Sequence, residues 1–233
     1  MILPLAIATL PLACGRVSLS RPVPVDPEAT FAAHREHGRI AFDRLAPERS
    51  GALRPPGWLR LPGEPMFVLE SDGKRTAAFW RDGNTVDARR QASREAPQVG
   101  EVVSSWVDQT IRLELKPAGG AAVRSDAFLR EGVGATEALT RATRTVLDVR
   151  GTYRAALHDA SNAPAGWIRV RISPYQEASR IFDGVLPAAM PPEVAAAAVI
   201  ALDVEIDWIE DHALDVYRGA SGGALERSIP SPR

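Results

Sequence analysis

The chain has 233 residues, 45% of them hydrophobic and 24% charged, a balance that excludes a disordered protein and suits one sizeable core or two small ones. Its 28 basic and 29 acidic side chains leave a net charge of -1, so no basic surplus is available for nucleic-acid phosphates. The single cysteine, Cys14, excludes an intrachain disulfide and any multi-cysteine zinc site.

The first thirteen residues, MILPLAIATLPLA, are almost all apolar and end in a small residue just before Cys14. That is the outline of an export signal followed by a processing site. The run Leu10-Pro11-Leu12-Ala13-Cys14-Gly15 resembles the lipobox of bacterial lipoproteins. Pro11 stands where that family usually carries an aliphatic residue, and no Lys or Arg precedes the apolar run. The resemblance is confined to residues 1–15. It implies that residues 1–13 are removed as a signal peptide and that the Cys14 thiol is acylated. Gly15 in place of Asp implies the outer membrane of the cell envelope. An ordinary signal peptide on a secreted or periplasmic protein is the alternative. From residue 14 to residue 30, Pro22, Pro24 and Pro27 among polar residues predict an extended, semi-rigid tether.

Residues 31–218 read as one α+β globular domain: an antiparallel β meander packed with a few helices, the longest of them C-terminal. Glu28–His37 is expected as a short helix with Phe31 and Ala32 on its apolar side, ended by Gly38. Arg39–Leu45 follows as a strand, and residues 46–56, with Pro47, Gly51, Pro55 and Pro56, as a loop. The apolar runs Met66–Glu70 and Arg75–Trp80 flank Ser71-Asp72-Gly73-Lys74. Asp-Gly there predicts a hairpin, since a type I′ turn needs positive φ at both central residues. Asp82-Gly83-Asn84 reverses the chain into Thr85–Arg90. Ser104–Lys116 is expected as a single strand, turned by Gly119-Gly120 towards Ala122–Leu129.

In the second half, Leu139, Thr143, Val146 and Leu147 predict a helix over Thr136–Val149. Thr152–His158 and Trp167–Ile172 read as a strand pair, with Ile168, Val170 and Ile172 buried and Arg169 and Arg171 wet. Pro191-Pro192 opens a helix reaching His212, apolar nearly all round at its start and therefore central to the fold. Residues 219–233 are expected as a flexible tail.

Three constellations could carry chemistry. Gly219-Ala220-Ser221-Gly222-Gly223 matches G-x-S-x-G and resembles the nucleophile segment of trypsin-like serine proteases. No histidine follows Ser221, as an α/β-hydrolase would need, and a long helix precedes it where the trypsin-like fold has strands. His34 and His37 have the spacing of a metal-ligand pair, but nothing nominates a third ligand. Asp203, Asp207, Glu210 and Asp211 fall on one side of the long helix, with His212 next to them in the chain. They suit a divalent cation, acid–base work, or a solvated face paired with Arg169, Arg171 or Arg218. The five tryptophans, Trp58, Trp80, Trp106, Trp167 and Trp208, are expected as core anchors.

No residue is assigned a catalytic or metal-binding role, and no cofactor is implied; Cys14, as the lipidation site, is the one functional residue nominated. The expected function is that of a non-enzymatic binding or assembly module in the bacterial cell envelope. Its partners would be the membrane, through the lipid, and an envelope protein, a cell-wall component or a small apolar ligand, but not nucleic acid. The alternative is an envelope hydrolase or metal-dependent enzyme using the cluster at 203–212 or Ser221.

Overall fold

The structure, a computed structural model, describes residues 25–36, 39–45, 49–54, 63–91, 93–107, 110–132, 150–173 and 178–220. In chain order the strands are β1 (Phe31–Glu36), β2 (Arg39–Leu45), β3 (Arg49–Arg54), β4 (Phe67–Ser71), β5 (Lys74–Asp82), β6 (Thr85–Arg90) and β7 (Gln98–Val107). They continue as β8 (Thr110–Pro117), β9 (Val123–Ser125), β10 (Leu129–Arg130), β11 (Gly151–His158), β12 (Pro164–Ile172) and β13 (Ala178–Val185), before the helix α1 (Pro192–Ala220).

The strands pair antiparallel in the order β11-β12-β13-β1-β2-β3-β4-β5-β6-β7-β8-β9, and β9 returns to β11 through Arg124↔His158 and Ser125↔Leu157. β10 extends the line of β9 along the same edge of β11, with Leu129 opposite Arg154. Between the two, the Asp126 N–H donates to the Ala156 carbonyl at 2.9 Å, so the ladder is not broken. Among the described residues thirteen strands thus fill twelve wall positions, and the sheet closes into a barrel around the C-terminal helix. The expected open meander is corrected by this closure: among the described strands, all but the two-residue β10 have a neighbour on both sides.

Local corrections follow the same pattern. Glu28–His37 is not a helix: Phe31–Glu36 is β1, hydrogen-bonded to β2 on one side and β13 on the other. Phe31 and Ala32 had suggested one helical side, but burial on both faces of a strand, which Ala33 shares, produces the same run. The loop at 46–56 contains β3, which pairs with β2 and β4. Ser104–Lys116 is two strands, β7 and β8, paired from Gly100↔Pro117 to Val107↔Thr110. The Asp72-Gly73 turn has φ of 52° and 72°, as the type I′ hairpin requires. The helix expected over Thr136–Val149 lies outside the described residues.

Alternation decides which side of each strand faces inward. On β8, Ile111, Leu113 and Leu115 are buried while Arg112 is exposed; on β12, Ile168, Val170 and Ile172 point in and Arg169 and Arg171 point out. Eight strands already give an interior that side chains can fill, so twelve leave a lumen that they cannot. α1 fills it. Val194 to Leu202 are buried without interruption, and Val204, Ile206 and Ile209 continue the apolar contact.

Small groups set the clearance between helix and wall. A Cβ on Gly100 of β7 would lie 2.7 Å from Val194 Cγ2 and 2.6 Å from the Lys116 carbonyl oxygen. Gly100→Ala is therefore expected to cost about 1–3 kcal/mol by overpacking. Adding Val194→Ala should recover part of that loss, and denaturant unfolding of the single and double variants measures both effects.

Candidate functional site

The acidic cluster singled out in the sequence is the most elaborate polar arrangement among the described side chains. It forms where the middle of α1 passes between opposite walls. In the ring, β13 and β1 stand across the lumen from β6 and β7.

On the β13 and β1 side, Arg180 carries the arrangement. It shares the inward parity of Phe182 on β13 and is only 2% exposed. Its Nη1 donates to Asp203 Oδ1 (2.6 Å) and to the Asp203 carbonyl (2.9 Å), while Nη2 donates to Asp207 Oδ1 (2.7 Å) and Glu210 Oε2 (2.5 Å). Arg35, inward on β1 with Phe31 and Ala33, adds bonds from Nη1 to Asp203 Oδ1 (3.1 Å) and Asp207 Oδ1 (2.6 Å). Helical spacing of 203, 207 and 210 aims three carboxylates at one wall. Two guanidiniums meet them.

Electrostatics here is a contest between burial and pairing. Burial pushes the Asp203 carboxyl above the usual carboxylate range, and Arg180 and Arg35 pull it back. Burial alone would lower the Arg180 guanidinium, but Asp203, Asp207 and Glu210 hold it above its ordinary value. Asp207 and Glu210 keep about two-fifths of their side-chain surface in water, so their share of the attraction is screened.

On the opposite side, Glu205 is buried and accepts from Ser104 Oγ (2.8 Å) and Trp106 Nε1 (2.7 Å) of β7. Arg81 Nη2 of β5 lies 3.7 Å away. Trp106 in turn meets Trp208 of α1, their ring centroids 6.1 Å apart and tilted by 54°.

The partners differ from those expected. Arg169 and Arg171 lie on the outer face of β12 and take Asp183 of β13 instead, Arg169 at 2.9 and 2.5 Å. Asp211 and His212 lie in α1, their side chains outside those described, and Arg218 likewise. His34 projects outward from β1 to Asp43 (2.9 Å); His37, Trp58, Cys14 and Ser221 lie outside the described residues. Among the described residues no three His, Cys, Asp or Glu are arranged to hold a metal ion. Trp80 is buried on the outer face with Val68 and Ala78, its Nε1 donating to the Gly63 carbonyl at 3.1 Å. Trp167 lies on the outside between the guanidiniums of Arg154 and Arg169, 4.4 and 5.2 Å from its ring centroid.

Sequence reasoning missed Arg180, Arg35, Ser104 and Glu205. A signal existed for Glu205, a carboxylate inside the apolar helical run next to Leu202, Ile206 and Ile209. For Arg180 there was none until β13 was recognised as a strand.

A cleft of about 50 Å³ opens at the rim where α1 enters, lined by Thr30, Phe31, Leu45, Leu186, Pro192 and Ala195 among others. It has room for about one or two waters rather than a ligand, for which several hundred Å³ is usual. No protein-family model, curated protein or solved structure matches the chain.

Arg180→Met removes the closer of the two guanidiniums that meet the buried Asp203 of α1, leaving it Arg35 alone, and is expected to cost about 3–5 kcal/mol at neutral pH. With Arg180 gone, the folded-state carboxyl rises further above its unfolded value. Such a group stabilises the fold below the ordinary carboxylate range and loses that contribution as pH rises through the folded value. The deficit of the variant relative to wild type should therefore shrink as pH falls from 7 towards 4, measured by denaturant unfolding at each pH.

Proposed function

We propose that this protein is a non-enzymatic binding or assembly module of the bacterial cell envelope, held at a membrane by lipid on Cys14. The observation that carries the non-enzymatic part is the occupation of the lumen by the chain's own helix. Barrels that carry small apolar ligands keep that space open. Here the described interior is packed with α1, which leaves the outer wall and the two rims for recognition. Among the described carboxylates of the cluster, Asp203, Asp207 and Glu210 are committed to Arg180 and Arg35 rather than free for acid–base or metal-dependent chemistry. An envelope protein or a cell-wall component fits this reading better than an enclosed apolar ligand.

The membrane part draws on the apolar leader and the lipobox-like run ending in Cys14-Gly15. On β8 the wall turns Ile111, Leu113 and Leu115 inward and Arg112, Glu114 and Lys116 outward, the reverse of a membrane-spanning strand with its lipid-facing apolar side. Among the described residues no helix is long and apolar enough to cross a membrane. Association would then depend on the acyl group.

Mass spectrometry of the protein purified from its native membrane fraction is expected to show acylated Cys14 as the first residue. Cys14→Ser should move the protein out of that fraction. An intact Met1 in the native protein would sink the envelope assignment.

A further inference from the structure

Immediately before β1 the chain makes a tight turn that is held from three wall positions. Within it, the Ala29 N–H donates to the Asp26 carbonyl (3.1 Å) and the Glu28 N–H to Asp26 Oδ1 (3.0 Å). Arg44 of β2 uses one nitrogen, Nη1, to donate to the carbonyls of Pro27 (3.1 Å) and Ala29 (2.8 Å). Thr30 ties the turn to β13 and the segment after it: its N–H donates to the Gly184 carbonyl (2.7 Å), and its Oγ1 accepts from the Leu186 N–H (2.9 Å). Asp26 also lies 3.9 Å from Arg169 Nη2 of β12. Ala29 is buried.

This turn sits at the rim where α1 enters, since Thr30, Leu186 and Pro192 line the same cleft. The far rim is where β7 ends, at Val107, and where Trp106 meets Trp208. We infer that Asp26–Thr30 is a clamp that fixes where the amino-terminal segment leaves the barrel. An anchor at Cys14 then keeps the near rim towards the bilayer and presents the far rim, beside Trp106 and Trp208, away from it.

Reach supports this orientation. The steps from Cys14 to Asp26 span at most about 43 Å. Turning the far rim to the membrane would send the segment back along the barrel, about 24 Å over the buried helical span Val194–Ile209. That alone uses more than half the reach. The orientation rests on the lipid-anchor reading; the clamp does not.

Two measurements on the full chain test the inference. Hydrogen exchange at the Ala29 amide should speed up about tenfold in Arg44→Ala, which loses two bonds to the turn, while amides of β12 and β13 stay as protected as in wild type. Unchanged exchange at Ala29 would remove the clamp. For orientation, Cys14 is coupled chemically to a maleimide lipid in phosphatidylcholine vesicles, so natural acylation is not required. A fluorescent non-natural side chain replaces Ala188 at the near rim or Val107 at the far rim, and a headgroup-attached quencher reports proximity. Quenching should be several-fold stronger at position 188, and Arg44→Ala should bring the two positions together. Equal quenching in the unsubstituted chain, or a ratio that ignores Arg44→Ala, overturns the proposal. Failure of the anchor reading shows separately, as a native Cys14 that carries no acyl group.

Discussion

A ring of twelve antiparallel strands encloses more space than its inward side chains can fill, and the rest of the molecule follows from filling it. The wall supplies one apolar residue at every second position, as Phe79 and Ala77 do on β5 or Val170 and Ile168 on β12. That layer is one side chain deep. A helix apolar on every face supplies what is missing, which is why Val194–Leu202 lacks the polar stripe of a surface helix. The alanines from Ala195 to Ala198 make its first turns slender, and Gly100 lets Val194 come against the wall. Volume is matched from both sides.

Occupation of the lumen also decides where recognition can take place. An open barrel of this width would offer a shielded cavity; here the described interior is solid, and polar chemistry inside it is used internally. Asp203 and Glu205 are buried charges whose partners belong to the same chain, and neither faces a space that a substrate could enter. The surfaces left to the described structure are the rims, where the helix enters and leaves, and the outer wall, where Arg154, Trp167 and Arg169 lie in contact.

How much of this was legible in the sequence depended on how local the cause was. The Asp72-Gly73 hairpin was readable because two residues with positive φ suffice to make it. The helix after Pro191-Pro192 was readable as central, because no amphipathic reading accommodates its apolar run. Closure was not readable: it depends on β9 meeting β11 and β1 meeting β13, the latter about 150 residues apart in the chain, and no local pattern encodes such pairings. β3 was hidden by Pro47, Gly51 and Pro55, which look like loop chemistry although only Gly51 lies within the strand. The acidic cluster was found, but its partners were sought among the outward arginines 169 and 171. Arg180 and Arg35 could be identified only from their inward parity, which requires the strands first.

The polar contacts of α1 are better understood as specifying its placement than as adding stability. A cylinder apolar all round gains similar burial at several rotations about its axis, so burial alone discriminates among them weakly. Charged groups taken from water recover their loss only with well-placed partners, so each buried carboxylate penalises every placement but its own. Glu205 requires Ser104 and Trp106 on β7; Asp203 requires Arg180 on β13, across the lumen. The two carboxylates are two residues apart, about 200° around the helix, which matches two walls that face each other. One rotation and one depth satisfy both at once.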